Sequence, residues 1–259
     1  MFIAIDHIGV AVRDLNEAAD NLEEVLGLKI AEREEVEDQQ LIAALVPTAD
    51  MRFELMQPTN SESVVARFLD RRGEGIHHIC FEVSDIEAEI EALKSREVQL
   101  VQGSPREGFV GLVEFIHPRA ANGVLVEIAQ VNLRTPNDHN IKFGHLEVLV
   151  TDPRQASDSW IRNFEIAENM TDISNQGSAN PQSVWLNLAG SQVHPQLKFS
   201  QLGTQIGSDQ DSGSRSEGIS ALVLRTVALS DIPFFSKNTE GTGIPLDKLS
   251  GMNIVLEQY

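Results

Sequence analysis

The chain has 259 residues, of which 41% are apolar and 23% are charged, as in an ordinary globular protein of one or two domains. Its formal charge is −19, from 39 acidic and 20 basic residues, and the sequence contains no basic patch. This charge argues against a nucleic acid or an anionic membrane as partner. No run of about 18 apolar residues occurs, so no spanning helix is expected.

Cysteine usage and the first residues bear on the compartment. The single cysteine, Cys80, excludes an intrachain disulfide and a thiolate metal cluster. The opening MFIAIDHIGV has no basic region ahead of its apolar stretch, so a signal peptide is not expected. Together these features favour the cytoplasm.

The chain contains a weak internal repeat whose copies begin near residues 3, 75, 142 and 218. Each copy is predicted to form a strand, a helix and three further strands. The polar segment Asn132–Asn140, which contains a proline, lies near the midpoint. It predicts two domains, residues 1–131 and 142–259. Within the second half, Gly203–Glu217 is rich in glycine, serine and aspartate, which is typical of a mobile loop.

Helix boundaries can be predicted from capping patterns. Capping boxes begin at Asp14, Ser84 and Asp152, each with a glutamate or glutamine three residues later. Gly27 is placed to end the first helix. Pro233 interrupts the helix pattern of the fourth copy, which is the least regular.

The first-half strands alternate between bulky apolar residues and a face with one polar residue among small or soft ones. Strands that curl into a cup would bring four polar residues together on that second face, namely His7, Glu54, His78 and Glu127. His77 is predicted to point away from the cup, where it packs or forms a hydrogen bond.

Two imidazoles and two carboxylates form a suitable ligand set for a divalent metal. Nitrogen and oxygen ligands without sulfur suit Co, Ni, Mn, Fe(II) or Zn with open coordination positions, as in a catalytic site. Each residue alone also has an ordinary structural explanation; Glu127, between Val126 and Ile128, most clearly requires a partner. Cys80 shares this face and is expected to act as a small hydrophobic residue.

Four motifs in the first half resemble the vicinal oxygen chelate (glyoxalase/bleomycin resistance/dioxygenase) superfamily, and most closely its methylmalonyl-CoA epimerase group: DHIGVAV, FELMQP, GIHHICFEV and FIHPRAANGVLVEIAQV. The resemblance covers residues 1–131. It implies an α+β fold of tandem domains, four βαβββ units in all, in which each pair forms a curled mixed sheet covered by helices. It also implies that His7, Glu54, His78 and Glu127 are the metal ligands.

The second half resembles a degenerate domain of the same kind. His145 and Glu257 are aligned with two of the four ligands, but Lys198 and Ala221 stand at the other two positions. A lysine ammonium repels a cation. We therefore expect His145, Lys198 and Glu257 to form a polar remnant containing a Lys–Glu ion pair; the alternative is that this region has been recruited to bind an organic anion. Because single-domain members of the superfamily commonly dimerise, the second domain is expected to replace a partner subunit, and the chain to be a monomer or a homodimer.

The resemblance implies a metal-dependent epimerase or racemase that removes a proton from the carbon next to a thioester, with a methylmalonyl-CoA-like substrate. Glu127 and Glu54 are then the candidate acid and base groups. Our alignment places Ile42 where some epimerases carry a further glutamate. Phe109 and Val110 stand where a small glycine-rich loop is usual.

Two arginines and three alternative functions remain open. Arg106 and Arg119 are candidates for binding a carboxylate or a CoA phosphate. A ring-cleaving dioxygenase would usually have a single carboxylate ligand, whereas Glu54 adds a second. A glutathione-dependent glyoxalase-type isomerase would tend to carry arginine at the position of Ala11. The third alternative is a non-catalytic protein that binds a small ligand.

Overall fold

The computed structural model describes residues 2–135, 139–165, 183–186, 197–202, 217–234 and 249–258. The first half forms an eight-stranded sheet, and the second forms a separate five-stranded sheet. The strands of the first are β1 (Phe2–Ala11), β2 (Glu32–Val36), β3 (Leu41–Pro47), β4 (Arg52–Pro58), β5 (Gly75–Val83), β6 (Arg106–Gly108), β7 (Gly111–Ile116) and β8 (Val126–Val131). Those of the second are β9 (Ile141–Val150), β10 (Ser183–Leu186), β11 (Leu197–Gln201), β12 (Gly218–Thr226) and β13 (Ile254–Gln258).

The strand order shows the internal repeat. The first sheet runs β2-β3-β4-β1-β5-β8-β7-β6, with β1 parallel to β4, β5 parallel to β8, and β1 antiparallel to β5. The second sheet runs β10-β11-β9-β12-β13, with the same parallel and antiparallel relations around β9 and β12. The predicted α+β class with curled mixed sheets is therefore confirmed.

Four α-helices lie within the described residues: α1 (Leu15–Leu26), α2 (Val64–Arg72), α3 (Ile86–Ser95) and α4 (Pro153–Phe164). The N-caps predicted at Asp14 and Asp152 are confirmed, since each carboxylate accepts from two backbone amides of the first turn. The cap predicted at Ser84 is wrong, because Asp85 caps α3 by accepting from the amide of Ala88 at 3.0 Å. Helix α2 follows Ser63, whose hydroxyl caps it, and the sequence analysis did not predict this helix.

Helices α1, α3 and α4 pack on the apolar side of the sheets, whereas α2 packs on the opposite side of the first sheet. The side chains of Ile8, Phe53 and Ile79 are fully buried on the apolar side, in a core that extends into the second half. Burying one such side chain stabilises the fold by roughly 1.5–3 kcal/mol. The opposite side of the first sheet therefore remains for the polar residues.

The less regular parts of the second half are only partly described. Of the predicted linker, residues 136–138 lie outside the described residues, as do residues 203–216 of the predicted loop. In the fourth copy, a single 3₁₀ turn, Leu229–Asp231, follows β12 ahead of Pro233. None of the helices in the described ranges is long and apolar enough to cross a membrane.

Candidate metal centre

Four buried residues meet through their side chains on the concave side of the first sheet: His7, Glu54, His78 and Glu127, none of which is more than 8% exposed as a whole residue. Oε2 of Glu127 lies 3.1 Å from Nε2 of His7 and 3.0 Å from Nε2 of His78. Oε2 of Glu54 lies 3.4 Å and 3.5 Å from the same two nitrogens. The two Nε2 atoms are 3.1 Å apart. The structure thus brings together all four residues that the sequence analysis singled out.

The sheet topology explains this convergence. The four residues lie on the adjacent central strands β4, β1, β5 and β8, so the two carboxylates flank the imidazole pair from opposite sides. Gly9 is paired with both Glu54 and His78 across the sheet. A Cβ atom at Gly9 would lie 2.1 Å from Cε1 of His78, so the imidazole occupies the space that a side chain would need.

The spacing of the donor atoms fits a metal ion. Ligand nitrogen and oxygen atoms lie about 2.0–2.2 Å from zinc or a similar ion. Two ligands at that distance are about 3.0 Å apart at a right angle and about 3.4 Å apart at a tetrahedral angle. The observed separations of 3.0–3.5 Å fall in this range. These residues can therefore hold a divalent cation.

The charge states support the same use. Burial acts to raise the pKa of Glu54 and Glu127, but the adjacent imidazoles outweigh it, and the pKa of each carboxyl is below its usual value. Conversely, burial acts to lower the pKa of His78, but hydrogen bonds to Glu127 and Glu54 raise it. The carboxylates are thus ionised, which is the form that binds a cation, while the raised pKa of His7 and His78 means that a cation would displace protons from the imidazoles.

Asp6 orients His7, and the sequence analysis missed this role. Oδ2 of Asp6 accepts a hydrogen bond from Nδ1 of His7 at 2.8 Å, and it also accepts one from the buried guanidinium of Arg52. Because a carboxylate only accepts, Nδ1 of His7 carries a proton, which leaves Nε2 as the nitrogen that can bind a metal. Cys80 lies close to Asp6 and His7, but burial raises the pKa of its thiol, so it remains neutral there.

His77 lines the cavity, which corrects the prediction that it points away. The pairing of β1 with β5 passes from Gly9–His78 to Val10–Ile76, so His77 sits in a bulge that turns it toward the cavity. Its Nδ1 lies 3.1 Å from Nδ1 of His78, and its ring packs against Phe68. Burial, followed by the charge of His78, lowers the pKa of His77 to about 3. Nδ1 of neutral His77 can therefore accept a hydrogen bond from Nδ1–H of His78.

A cavity of about 490 Å³ adjoins the cluster, with Glu54, His78 and Glu127 in its wall. Its apolar lining comes from β3, β4, α2, β7 and the segments that precede β6, β7 and β8, namely Leu41, Met56, Val64, Val65, Val101, Phe109, Val110, Phe115 and Leu125. Phe109 lines the cavity and packs against two hydrophobic groups, one that contains Leu41 and Met56 and one that contains Leu45 and Val110.

Three other predicted positions can now be placed. Ile42 packs against the helix-side core, whereas the neighbouring Leu41 and Ala43 belong to the cavity-side group. The alignment at Ile42 therefore gave the wrong face of β3. Arg106 lines the cavity. Arg119 is exposed in the 3₁₀ turn Pro118–Ala120 and does not line it.

The corresponding region of the second sheet contains different chemistry. Lys198 and Ala221 both pair with Glu147. Glu54 and His78 both pair with Gly9 in the same way. The equivalence of Lys198 with Glu54 and that of Ala221 with His78 are therefore correct. The equivalence of Glu257 with Glu127 is wrong. Because Ala221 is equivalent to His78, Val223 is equivalent to Cys80. Cys80 pairs with Glu127 and Val223 pairs with Val255, so the equivalent of Glu127 is Val255. Glu257 lies two residues further on, 3.4 Å from the guanidinium of Arg225.

The second half contains a Lys–Glu ion pair, as expected, but the glutamate is Glu147 and not Glu257. Nζ of Lys198 lies 2.9 Å from Oε1 of buried Glu147, which also accepts a hydrogen bond from Ser200 at 2.6 Å. Burial lowers the pKa of His145 to about 4, and the nearby charges of Lys198 and Arg225 contribute. This region therefore carries an internal ion pair and a neutral histidine.

The first half of this chain combines α-helices with a curled sheet that carries a buried His₂Glu₂ cluster beside a cavity. The model of the Glyoxalase/Bleomycin resistance protein/Dioxygenase superfamily matches residues 6–115. The chain belongs to this superfamily.

Three relatives are similar to about half of the chain. YqjC of Bacillus subtilis, an uncharacterized protein, is 38% identical over 136 residues, which are 52% of this chain and 97% of YqjC. The ethylmalonyl-CoA/methylmalonyl-CoA epimerase of Cereibacter sphaeroides is 35% identical over 130 residues, 49% of this chain and 97% of the enzyme. The human mitochondrial methylmalonyl-CoA epimerase is 32% identical over 128 residues, 49% of this chain and 73% of the enzyme.

Proposed function

We propose that this protein is a metal-dependent epimerase or racemase that removes and returns a proton at the carbon next to a thioester, with a methylmalonyl-CoA-like substrate. The observation that carries the proposal is the meeting of His7, Glu54, His78 and Glu127 at metal-ligand spacing beside a cavity. The similarity to two acyl-CoA epimerases supports the reaction type.

In this proposal the four residues hold one divalent ion. Such an ion supplies Lewis acidity, which polarises an acyl oxygen and makes the neighbouring C–H more acidic. Asp6 and His77 fix the two imidazoles with Nε2 facing the cluster. We assign this site to the domain of residues 1–131. The domain of residues 142–259, which has Lys198 and Ala221 at two ligand positions, has no complete set among its described residues.

Glu127 and Glu54 are the proposed acid and base groups. Inversion at a carbon requires proton transfer on both of its faces. The two glutamates are on β8 and β4, on opposite sides of the histidines, which supplies a carboxylate to each side. The contacts with the imidazoles use Oε2 of each glutamate, so they do not occupy Oε1. The apolar cavity lining keeps water away from the carbon that loses its proton.

The test is α-proton exchange with methylmalonyl-CoA in D₂O, using protein loaded in turn with Co, Ni, Mn, Fe(II) and Zn. We expect Glu127→Gln to abolish exchange while the fold persists, because the amide is isosteric with the carboxyl. Metal content measured on the same sample separates loss of the base from loss of the ion. Glu257→Gln, in the second half, is the matched control.

The outcomes distinguish the alternatives. Exchange with inversion in the wild type supports the proposal, and wild-type exchange in Glu127→Gln would refute the role of this residue as base. Consumption of O₂ with a catechol would instead indicate a dioxygenase, and isomerisation of a glutathione hemithioacetal a glyoxalase. Tight binding of the thioester without turnover would indicate a non-catalytic binding protein.

A further inference from the structure

Arg106 occupies an unusual place in the cavity wall. It lies on β6 at the edge of the sheet, 24% exposed, and its guanidinium carbon is 5.6 Å from the centre of the Phe115 ring. The same ring packs at 5.5 Å against the imidazole of His78. One phenylalanine ring therefore separates the guanidinium from the candidate metal centre.

The guanidinium is poorly satisfied by the protein. Its Nε is buried and has no hydrogen-bond partner among the described residues. Its contacts through Nη1 are long, 3.5 Å to the carbonyl oxygen of Glu107 and 3.8 Å to Oδ2 of Asp38. A guanidinium offers five N–H donors in a planar fork that matches a carboxylate or a phosphate. Buried donors without partners are rare in folded proteins. The contacts of the guanidinium with described residues use Nη1, so Nη2 is left for a ligand.

The charge around Arg106 restricts where an anion can bind. Four acidic side chains contribute to the cavity lining: Asp38, Glu54, Glu62 and Glu127. Among the lining residues in the part of the chain that the structure describes, Arg106 is the one lysine or arginine. An anionic group that enters the cavity is therefore attracted to one place and repelled elsewhere.

We propose that Arg106 is a specificity-determining residue that binds an anionic group of the substrate, a carboxylate or a phosphate, while the acidic carbon lies at the His–Glu cluster. This inference rests on the proposed function and deepens it by naming the residue that selects thioesters with a negative charge within reach of β6. Stacking on Phe115 holds the planar fork in place, which a lysine could not reproduce.

Four thioesters distinguish the two anions: methylmalonyl and isobutyryl, each attached to coenzyme A and to N-acetylcysteamine. Isobutyryl replaces the carboxylate with an uncharged methyl group, and N-acetylcysteamine lacks the phosphates. Dissociation constants would be measured by calorimetry for the metal-loaded wild type, Arg106→Gln, Arg106→Lys and the exposed control Arg119→Gln, with thermal unfolding to check each fold.

Loss of a charged hydrogen-bonding partner is expected to weaken binding by roughly 10- to 100-fold in Arg106→Gln. Weakening confined to both methylmalonyl thioesters identifies the carboxylate, and weakening confined to both coenzyme A thioesters identifies the phosphate. Arg106→Lys should restore only part of the affinity. Equal weakening of all four ligands, no weakening, or no binding by the wild type would overturn the inference. Selective weakening without α-proton exchange in the wild type would refute the proposed reaction but not the role of Arg106.

Discussion

At the scale of single residues, the candidate site depends on side chains that do not belong to the ligand set. Asp6 joins His7 to Arg52, and the pKa of its carboxyl is lowered because these partners outweigh the effect of burial. Asp6 directly precedes His7, and two neighbours in a regular strand would face opposite sides. The β1–β5 pairing shifts between Ile5 and His7, and this irregularity allows Asp6 and His7 to meet.

Asp6→Asn should weaken metal binding by roughly 10- to 100-fold, because partners that orient a ligating histidine typically contribute that much. The amide retains the shape but removes the charge that fixes the tautomer of His7. Affinity would be measured by competition with a chelator. Asp50→Asn is the matched control, since Asp50 accepts from the amide of Phe143 and is not part of the cluster.

The Asp6 variant also leaves Arg52 as a buried charge without its partner, at a cost of roughly 3–5 kcal/mol in stability. Metal affinity must therefore be compared below the unfolding transition of both proteins. An unchanged affinity in folded Asp6→Asn would contradict the orienting role.

At the scale of strands and helices, simple alternation was sufficient to predict the faces of β1, β4, β5 and β8. Period-two alternation holds where a strand is regular, and it therefore identified the cavity side for His7, Glu54, His78 and Glu127. It failed at His77, because a bulge adds a residue to one strand and reverses the side on which it lies. Bulges follow from pairing with a neighbouring strand, which a single strand's sequence does not contain.

The close approach of β1 and β5 at Gly9 gives a test at the same scale. Gly9→Ala should destabilise the metal-free protein by about 1–3 kcal/mol, because the added methyl overlaps the imidazole of His78. His78→Ala removes the obstacle, so the double variant should be less destabilised than the sum of the single variants. The second sheet shows the reverse arrangement, because Glu147 stands at the position of Gly9 and its neighbour across the sheet is the small residue Ala221.

The free energy of unfolding would be measured with denaturant, in the presence of a chelator, for the wild type, the two single variants and the double variant. Ala11→Ser provides a control on the same strand, away from the imidazole. Strictly additive changes in the free energy of unfolding would show that Gly9 does not make room for His78.

At the scale of the whole molecule, the two halves meet through an approximately symmetric pair of backbone contacts. Gly75, at the start of β5, approaches the backbone of Gly251, and Gly218, at the start of β12, approaches that of Gly123. Gly218 is the equivalent of Gly75, and Gly123 is the equivalent of Gly251. The same two positions therefore meet twice, each time with the halves exchanged, as at a twofold interface between subunits. This supports the expectation that the second half replaces a partner subunit.

The two halves differ at the positions of the metal ligands, and this difference gives a test of the proposal that only the first half binds a metal ion. Four substitutions in the second sheet would recreate the ligand set around His145: Glu147→Gly, Lys198→Glu, Ala221→His and Val255→Glu. Wild-type protein should bind one divalent ion per chain, and the fourfold variant should bind two. The matched control keeps Glu147 with the other three substitutions; it should bind one, because Glu147 occupies the space that the new imidazole needs. Metal analysis after gel filtration gives the stoichiometry, and two ions in the wild type would contradict the assignment of the second half as incomplete.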